Sequence, residues 1–311
     1  AMSLMALPMF NTVYADKIGN LYYVYNALMP LRGSDAYNWN GIVPGNTINS
    51  LWQGYFDFEQ LPQILNPKSG FLQNCNSTPF LATLGDDNPN KSFYPRNLGI
   101  ESFQTNRALR AHETYGSDKS ISREEFYKYK FDTKYSDQSV MALNLKKFLG
   151  EASSDNPDIL EALKLLKNWD LDTDSSTVGM HLAYETIRPT FNPKEYHYDY
   201  AKNMKRLKRI VKWTKDAFGR IDVKWGEVQR LKRGNVDLAL SGGPDILRAI
   251  YSSEKEATRI GIAGDCYFEI VEWDKKGNVS AQSIHQFGSA IQDSNSIHYN
   301  DQAKLFAKHE M

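Results

Sequence analysis

The chain has 311 residues, enough to bury a large core without disulfides or metals to hold it together. Lys and Arg total 37 and Asp and Glu total 37, so the basic excess of a dedicated nucleic-acid binder is missing. Apolar content of 41% and charged content of 24% exclude wholesale disorder, and no run of roughly 18 apolar residues exists to cross a bilayer.

In chain order, Ala1-Met2-Ser3-Leu4 reads as a cloning remnant and Met5 as the native start, so the first four residues are left out of fold reasoning. Residues 11–28 form a predicted β-hairpin. Its two β-rich runs flank Asp16-Lys17-Ile18-Gly19-Asn20, a turn with glycine at a left-handed position. Residues 30–60 read as a long irregular stretch with interleaved aromatics. From about 101 the periodicity becomes helical, with helices predicted over 102–115, 122–132, 137–151, 158–169, 176–188 and 195–217. Ser122 and Glu125 are spaced as a capping box. Strands return at 236–240, 258–263, 266–273 and 278–284, the last two joined through Asp274-Lys275-Lys276-Gly277-Asn278. The order predicts an α+β fold in three parts. Residues 5–100 are a sheet-core segment, 101–217 a mainly helical block, and 218–311 C-terminal strands that return to the sheet core.

Most chemistry-bearing clusters have a plain structural reading. Seven Lys and Arg residues between 202 and 215 fit a solvated helix face opposite Met204, Leu207, Ile210, Val211 and Trp213. Ser241-Gly242-Gly243-Pro244-Asp245 leads into an apparent helix through Leu247 and Ile250, but it lacks a Walker lysine and reads as a structural turn. The six histidines show no metal-ligand spacing. Asp86-Asp87-Asn88 is an acidic loop without an EF-hand pattern. Cys75 and Cys266 are expected to be buried free thiols, although sequence leaves their pairing open. The informative segment is Asn66 to Ser77, with asparagines at 66, 74 and 76 among turn residues. An asparagine N–H aimed into a cavity can stabilise an oxyanion, whereas turn capping is the commoner use.

Asn66-Pro67-x-Ser69-Gly70-(x)₃-Asn74-x-Asn76 resembles the signature of the penicillin acylase (penicillin amidase) family. So does the hairpin Asn11-Thr12-Val13-Tyr14-Ala15-Asp16-Lys17-x-Gly19-Asn20. Downstream, Gly264-Asp265-Cys266-Tyr267, Phe287-Gly288-Ser289 and Ser296-Ile297-His298-Tyr299-Asn300-Asp301-Gln302 resemble the C-terminal run of that family. Leu61-Pro62-Gln63 is similar to the acyl-homoserine-lactone acylase subgroup. The resemblance implies an N-terminal-nucleophile hydrolase with an αββα sandwich, into which the helical block is inserted. A precursor is cut into α and β chains, and the new N-terminal serine attacks an amide carbonyl with its own α-amine as base.

On this resemblance Asn76 is the side-chain donor of the oxyanion hole. Arg107 orients Asn76, with Arg110 as the competing assignment, and Phe10 lines the acyl pocket. The resemblance begins inside the β chain, so the nucleophile segment is expected to be absent and the chain inactive alone. Its expected partners are then the rest of the β chain and the α chain, with a small N-acyl substrate and neither nucleic acid nor membrane. No cofactor is expected in this chain, although some relatives carry calcium. Family members are usually periplasmic or secreted. The alternative is a catalytically dead scaffold with a binding or structural role.

Overall fold

The computed structural model describes residues 2–6, 9–33, 37–190 and 192–311. They fall into two units, Ala1–Gln104 with Tyr115–Lys119, and Thr105–Thr114 with Ser120–Met311.

In the first unit, β1 (Phe10–Ala15) and β2 (Leu21–Asn26) form the expected hairpin. Its turn is organised by one carboxylate. Asp16 accepts from the backbone N–H groups of Ile18 at 3.0 Å and Asn20 at 2.9 Å, and from the Asn20 side chain at 2.9 Å. Gly19 has φ 89°, a left-handed conformation that costs glycine nothing. Inside the stretch predicted as irregular, β3 (Pro30–Arg32) pairs with β4 (Trp52–Tyr55). β5 (Gln63–Leu65) then joins the hairpin, giving the sheet order β1-β2-β5. Tyr23 and Ile64 pack with Ala82, while Val24, Tyr25, Leu61 and Leu98 form a second small core.

The second unit opens with short helices α1 (Asn106–Ala111) and α2 (Arg123–Lys130). The capping box predicted at Ser122 and Glu125 is present. A bundle follows, made of α3 (Val140–Glu151), α4 (Pro157–Asn168), α5 (Met180–Ile187) and α6 (Tyr200–Phe218). Four of the predicted helices start three to five residues later than their periodicity suggests. Thr105 caps α1 through Ala108 N–H, and Gly179, at φ 101°, turns the chain into α5, so the preceding residues cannot be helical. The basic face of α6 is solvated as expected, and Met204, Leu207, Ile210 and Val211 are buried beneath it. Lys212 pairs with Asp216 and Lys215 with Asp158.

Beyond the bundle come α7 (Trp225–Val228), β6 (Gln229–Arg233), β7 (Val236–Ala239), β8 (Ile250–Lys255) and β9 (Thr258–Gly264). The four strands form one sheet in the order β7-β6-β9-β8, with β6 and β9 parallel. A hairpin of β10 (Tyr267–Trp273) and β11 (Val279–His285) precedes the last helix, α8 (Ala303–Lys308). Its turn repeats the device of the first unit in a second Asp-Lys-x-Gly-Asn. Asp274 accepts from Lys276 N–H at 2.8 Å, Asn278 N–H at 2.9 Å and the Asn278 side chain at 2.7 Å, with Gly277 at φ 80°.

Two expectations need correction. The segment after Gly243 is not a helix. Asp245 sits at φ 59°, which breaks the helical path, and Arg248 turns fully inward. There its guanidinium donates to the Phe306 carbonyl at 2.8 Å and faces Asp265 at 3.4 Å. No disulfide joins the two cysteines, and neither is buried. Cys75 is half-buried in a turn, and Cys266 is exposed between β9 and β10.

One ionic hub ties the bundle to the sheet. Glu185 on α5 is 1% exposed. It accepts from Arg188 at 2.7 Å and Arg209 of α6 at 2.6 Å, and from Arg259 of β9 at 2.5 Å. Burial pushes its carboxyl up, but the bond from Arg188 and the charges of Arg259, Arg188 and Arg209 outweigh that, so the group stays below the usual glutamate range. Removing it strands buried guanidinium charge. Glu185→Ala is expected to cost about 3–5 kcal/mol, read as a lower urea midpoint. A loss under about 1 kcal/mol would show that the hub is dispensable.

Candidate functional site

The asparagine-rich segment folds against the N-terminal hairpin through side-chain amides. Tyr23 OH donates to Asn11 Oδ1 at 2.9 Å. Asn11 Nδ2 donates to Asn74 Oδ1 at 3.1 Å, and Asn74 Nδ2 returns to the Asn11 carbonyl at 3.3 Å. The same Asn74 oxygen accepts the backbone N–H of Asn76 at 3.1 Å. Asn66 is used similarly: its Oδ1 accepts Leu21 N–H at 2.8 Å and its Nδ2 donates to Asn20 at 3.2 Å. Thus Asn66 and Asn74 do the turn work that composition alone suggested. Both Asn66 and Asn76 have left-handed backbones, at φ 47° and 52°, which asparagine tolerates better than most residues.

Asn76 itself is exposed at the loop tip. The segment behind it is closed by Gln73, whose N–H reaches the Ala82 carbonyl at 2.9 Å and whose side chain reaches Leu81 at 2.9 Å. Ser77 and Thr78 are buried. A loop fixed on both flanks presents its tip residue with little entropy left to lose. Phe10 lies at the start of β1, opposite Asn26, with its ring 60% exposed.

In the second unit, Arg107 and Arg110 stand one turn apart on α1 and go to different carboxylates. Arg107 Nε donates to Asp245 Oδ1 at 3.2 Å. Arg110 holds Asp132 through two bonds of 3.0 and 2.5 Å and reaches Glu113 at 2.7 Å. Asp245 also accepts Asn106 N–H at 2.7 Å, while Asn106 Nδ2 donates to the Asp245 carbonyl at 2.7 Å. Tyr135 OH donates to the Pro244 carbonyl at 2.8 Å, so the Gly-Gly-Pro-Asp turn acts as a clamp on the start of α1. Sequence reasoning singled out Arg107 but missed its carboxylate partner, because Asp245 was read only as part of a turn leading into a helix.

The C-terminal motif is also local architecture. Gln302 accepts His285 N–H on its side chain at 2.7 Å and donates its own N–H to Phe287 at 2.8 Å. A Cβ on Gly288 would lie 2.1 Å from the His298 carbonyl oxygen, so only glycine fits there. Among the described residues no group of three or more His, Cys, Asp or Glu side chains could hold a metal ion, and no helix is long and apolar enough to cross a membrane.

Burial pushes the Asp245 carboxyl up to about 6, against the lowering effect of Asn106 N–H and Arg107. A raised carboxyl pKa adds stability that is complete below the unfolded value near 4 and disappears as pH rises through about 6. Asp245→Asn removes the titration and suits a left-handed backbone. Its melting temperature should therefore vary less between pH 4 and 7 than that of the native chain, and parallel profiles would assign the pH dependence elsewhere.

The whole chain, residues 1–311, matches the family model described as penicillin amidase. Penicillin G acylase of Escherichia coli is 39% identical over 69 residues, 22% of this chain and 8% of that protein. In structure, the thermostable penicillin G acylase from Alcaligenes faecalis superposes with a TM-score of 0.59 at 18% identity, over 99% of this chain and 64% of that one. The chain therefore spans less than two thirds of the length of either relative. With the family model covering the whole chain, the chain belongs to the penicillin amidase family.

Proposed function

We propose that this chain supplies part of an amidohydrolase that cleaves N-acyl amides to a carboxylic acid and an amine. The observation that carries the reading is the exposed Asn76, held at the tip of a loop whose flanks are fixed by Asn74, Asn11 and Gln73. A fixed backbone behind the residue favours an oxyanion donor, because a preorganised N–H costs no reorganisation when charge develops on the carbonyl oxygen. In this reading Asn76 donates its side-chain N–H to the tetrahedral oxyanion. Arg107, steadied by Asp245, orients that amide, and Phe10 lines the acyl pocket.

The serine nucleophile, whose own α-amine takes the proton, comes from sequence outside these 311 residues, together with an α chain cut from the same precursor. The αββα sandwich and the return of the C-terminal strands to the sheet core are parts of the same proposal. So are a periplasmic or secreted location and a substrate that is a β-lactam side-chain amide or an N-acyl-homoserine lactone.

The test uses the processed enzyme that contains this chain. Asn76→Ala should lower kcat about 10²–10³-fold with little change in KM. Arg107→Ala should lower it too, and the double variant should lose no more than the worse single one. The isolated chain should give no turnover of penicillin G or an N-acyl anilide. Full activity of the Asn76 variant would remove the oxyanion assignment, and a processed enzyme that turns over no N-acyl amide would favour the dead scaffold.

A further inference from the structure

A groove of about 830 Å³ lies along the second unit between α3 and α4, which are joined by residues 152–156. Its size falls in the range of small-molecule sites. Leu145 and Leu149 of α3, one turn apart, form one wall, and Leu160 and Leu163 of α4 form the other. These α4 leucines lie beside the stripe Ile159, Ala162 and Leu166 that fills the bundle core. Leu160 is 49% exposed, so the apolar surface continues past what the fold buries. Gly150 leaves the floor open, since a Cβ there would meet no atom within 4 Å.

The rim is cationic. Lys146, Lys164 and Lys167 line the groove against a single acid, Asp137. Lys164 and Lys167 stand one turn after Leu160 and Leu163, so each positions a charge beside an apolar wall residue. Two lysines of the neighbouring α6, Lys212 and Lys215, have carboxylate partners in Asp216 and Asp158. Among the described residues, no ion pair reaches the three lysines of the groove. Apolar walls under an uncompensated cationic rim match a ligand with an apolar tail and an anionic head.

We propose that this groove binds a single-chain amphiphile of that kind, a free long-chain carboxylate. The alkyl chain lies along the leucines of both helices, and the head group stays in water beside the lysines. The site is built from α3, α4, their connection and the flanking residues Asp137, Trp169 and Leu171, so it does not depend on the proposed amidohydrolase chemistry.

Laurate below its micelle concentration, titrated calorimetrically into the full chain, is expected to bind saturably at one site and more weakly as salt rises. Dodecyltrimethylammonium, with the same tail and opposite charge, should bind at least about tenfold more weakly. Replacing the three lysines together (K146Q, K164Q and K167Q) should weaken laurate by about tenfold and bring the two amphiphiles together. Gly150→Phe should block both while the far-UV circular dichroism stays unchanged. Equal affinity for the two amphiphiles, unsaturable uptake, or unaltered laurate binding by a folded Gly150→Phe chain would overturn the proposal. If that variant does not fold, the lysine triple still decides, because its positions are exposed.

Discussion

Glu185 meets three guanidinium groups in a place where water cannot help, and the second unit is arranged around that fact. A buried carboxylate with one arginine would carry a desolvation cost that a single pair barely offsets. Here the charges come from its own helix, from α6 and from β9. Two of the three are also tied elsewhere: Arg259 donates to Ser252 O at 2.7 Å, and Arg209 reaches Glu254 at 3.2 Å. The hub therefore fixes how α5 and α6 meet the β8–β9 edge of the sheet. The Gly-Gly-Pro-Asp turn enters β8 from the same sheet, so the clamp that holds Asn106 and Arg107 rests on a framework already locked by charge.

The candidate site was legible in part, for different reasons at different residues. The spacing Asn-Pro-x-Ser-Gly-(x)₃-Asn-x-Asn singles out a loop, and the structure gives two of its three asparagines backbone duties. What sequence could not separate is which asparagine does which job. Asn66 and Asn74 are used by partners at positions 20, 21 and 11, more than 40 residues away along the chain. Arg107 and Arg110 posed the same difficulty. Both sit on α1, and only the long-range carboxylates Asp245 and Asp132 tell them apart.

For the fold, turns and amphipathic helices were readable because their signals are local. Both Asp-Lys-x-Gly-Asn hairpins, the box at Ser122 and the apolar stripe of α6 follow from residues within one or two turns. The strands β6 and β8 were not. Gln-Arg-Leu-Lys-Arg shows one apolar residue in five, and its first position, Gln229, is fully buried because its amide bonds Leu240 and Gly242 carbonyls at 2.9 Å. A polar side chain whose amide N–H groups are bonded to distant backbone hides the alternation that marks a strand. The burial of Arg248, its charge over the Phe306 ring at 3.9 Å, likewise has no local signal in the sequence.

The repeated Asp-Lys-x-Gly-Asn turn gives two hairpins far apart in sequence the same kind of acid sensitivity. Each is closed by a carboxylate that must be ionised to accept three N–H groups. Both Asp16 and Asp274 are held below the usual range, first by the side-chain amides of Asn20 and Asn278. A depressed carboxyl pKa gives support that is complete above the unfolded value and is lost as pH falls through the folded one. Acid would thus loosen both hairpin turns by the same protonation event, at loop tips where proteases cut most readily.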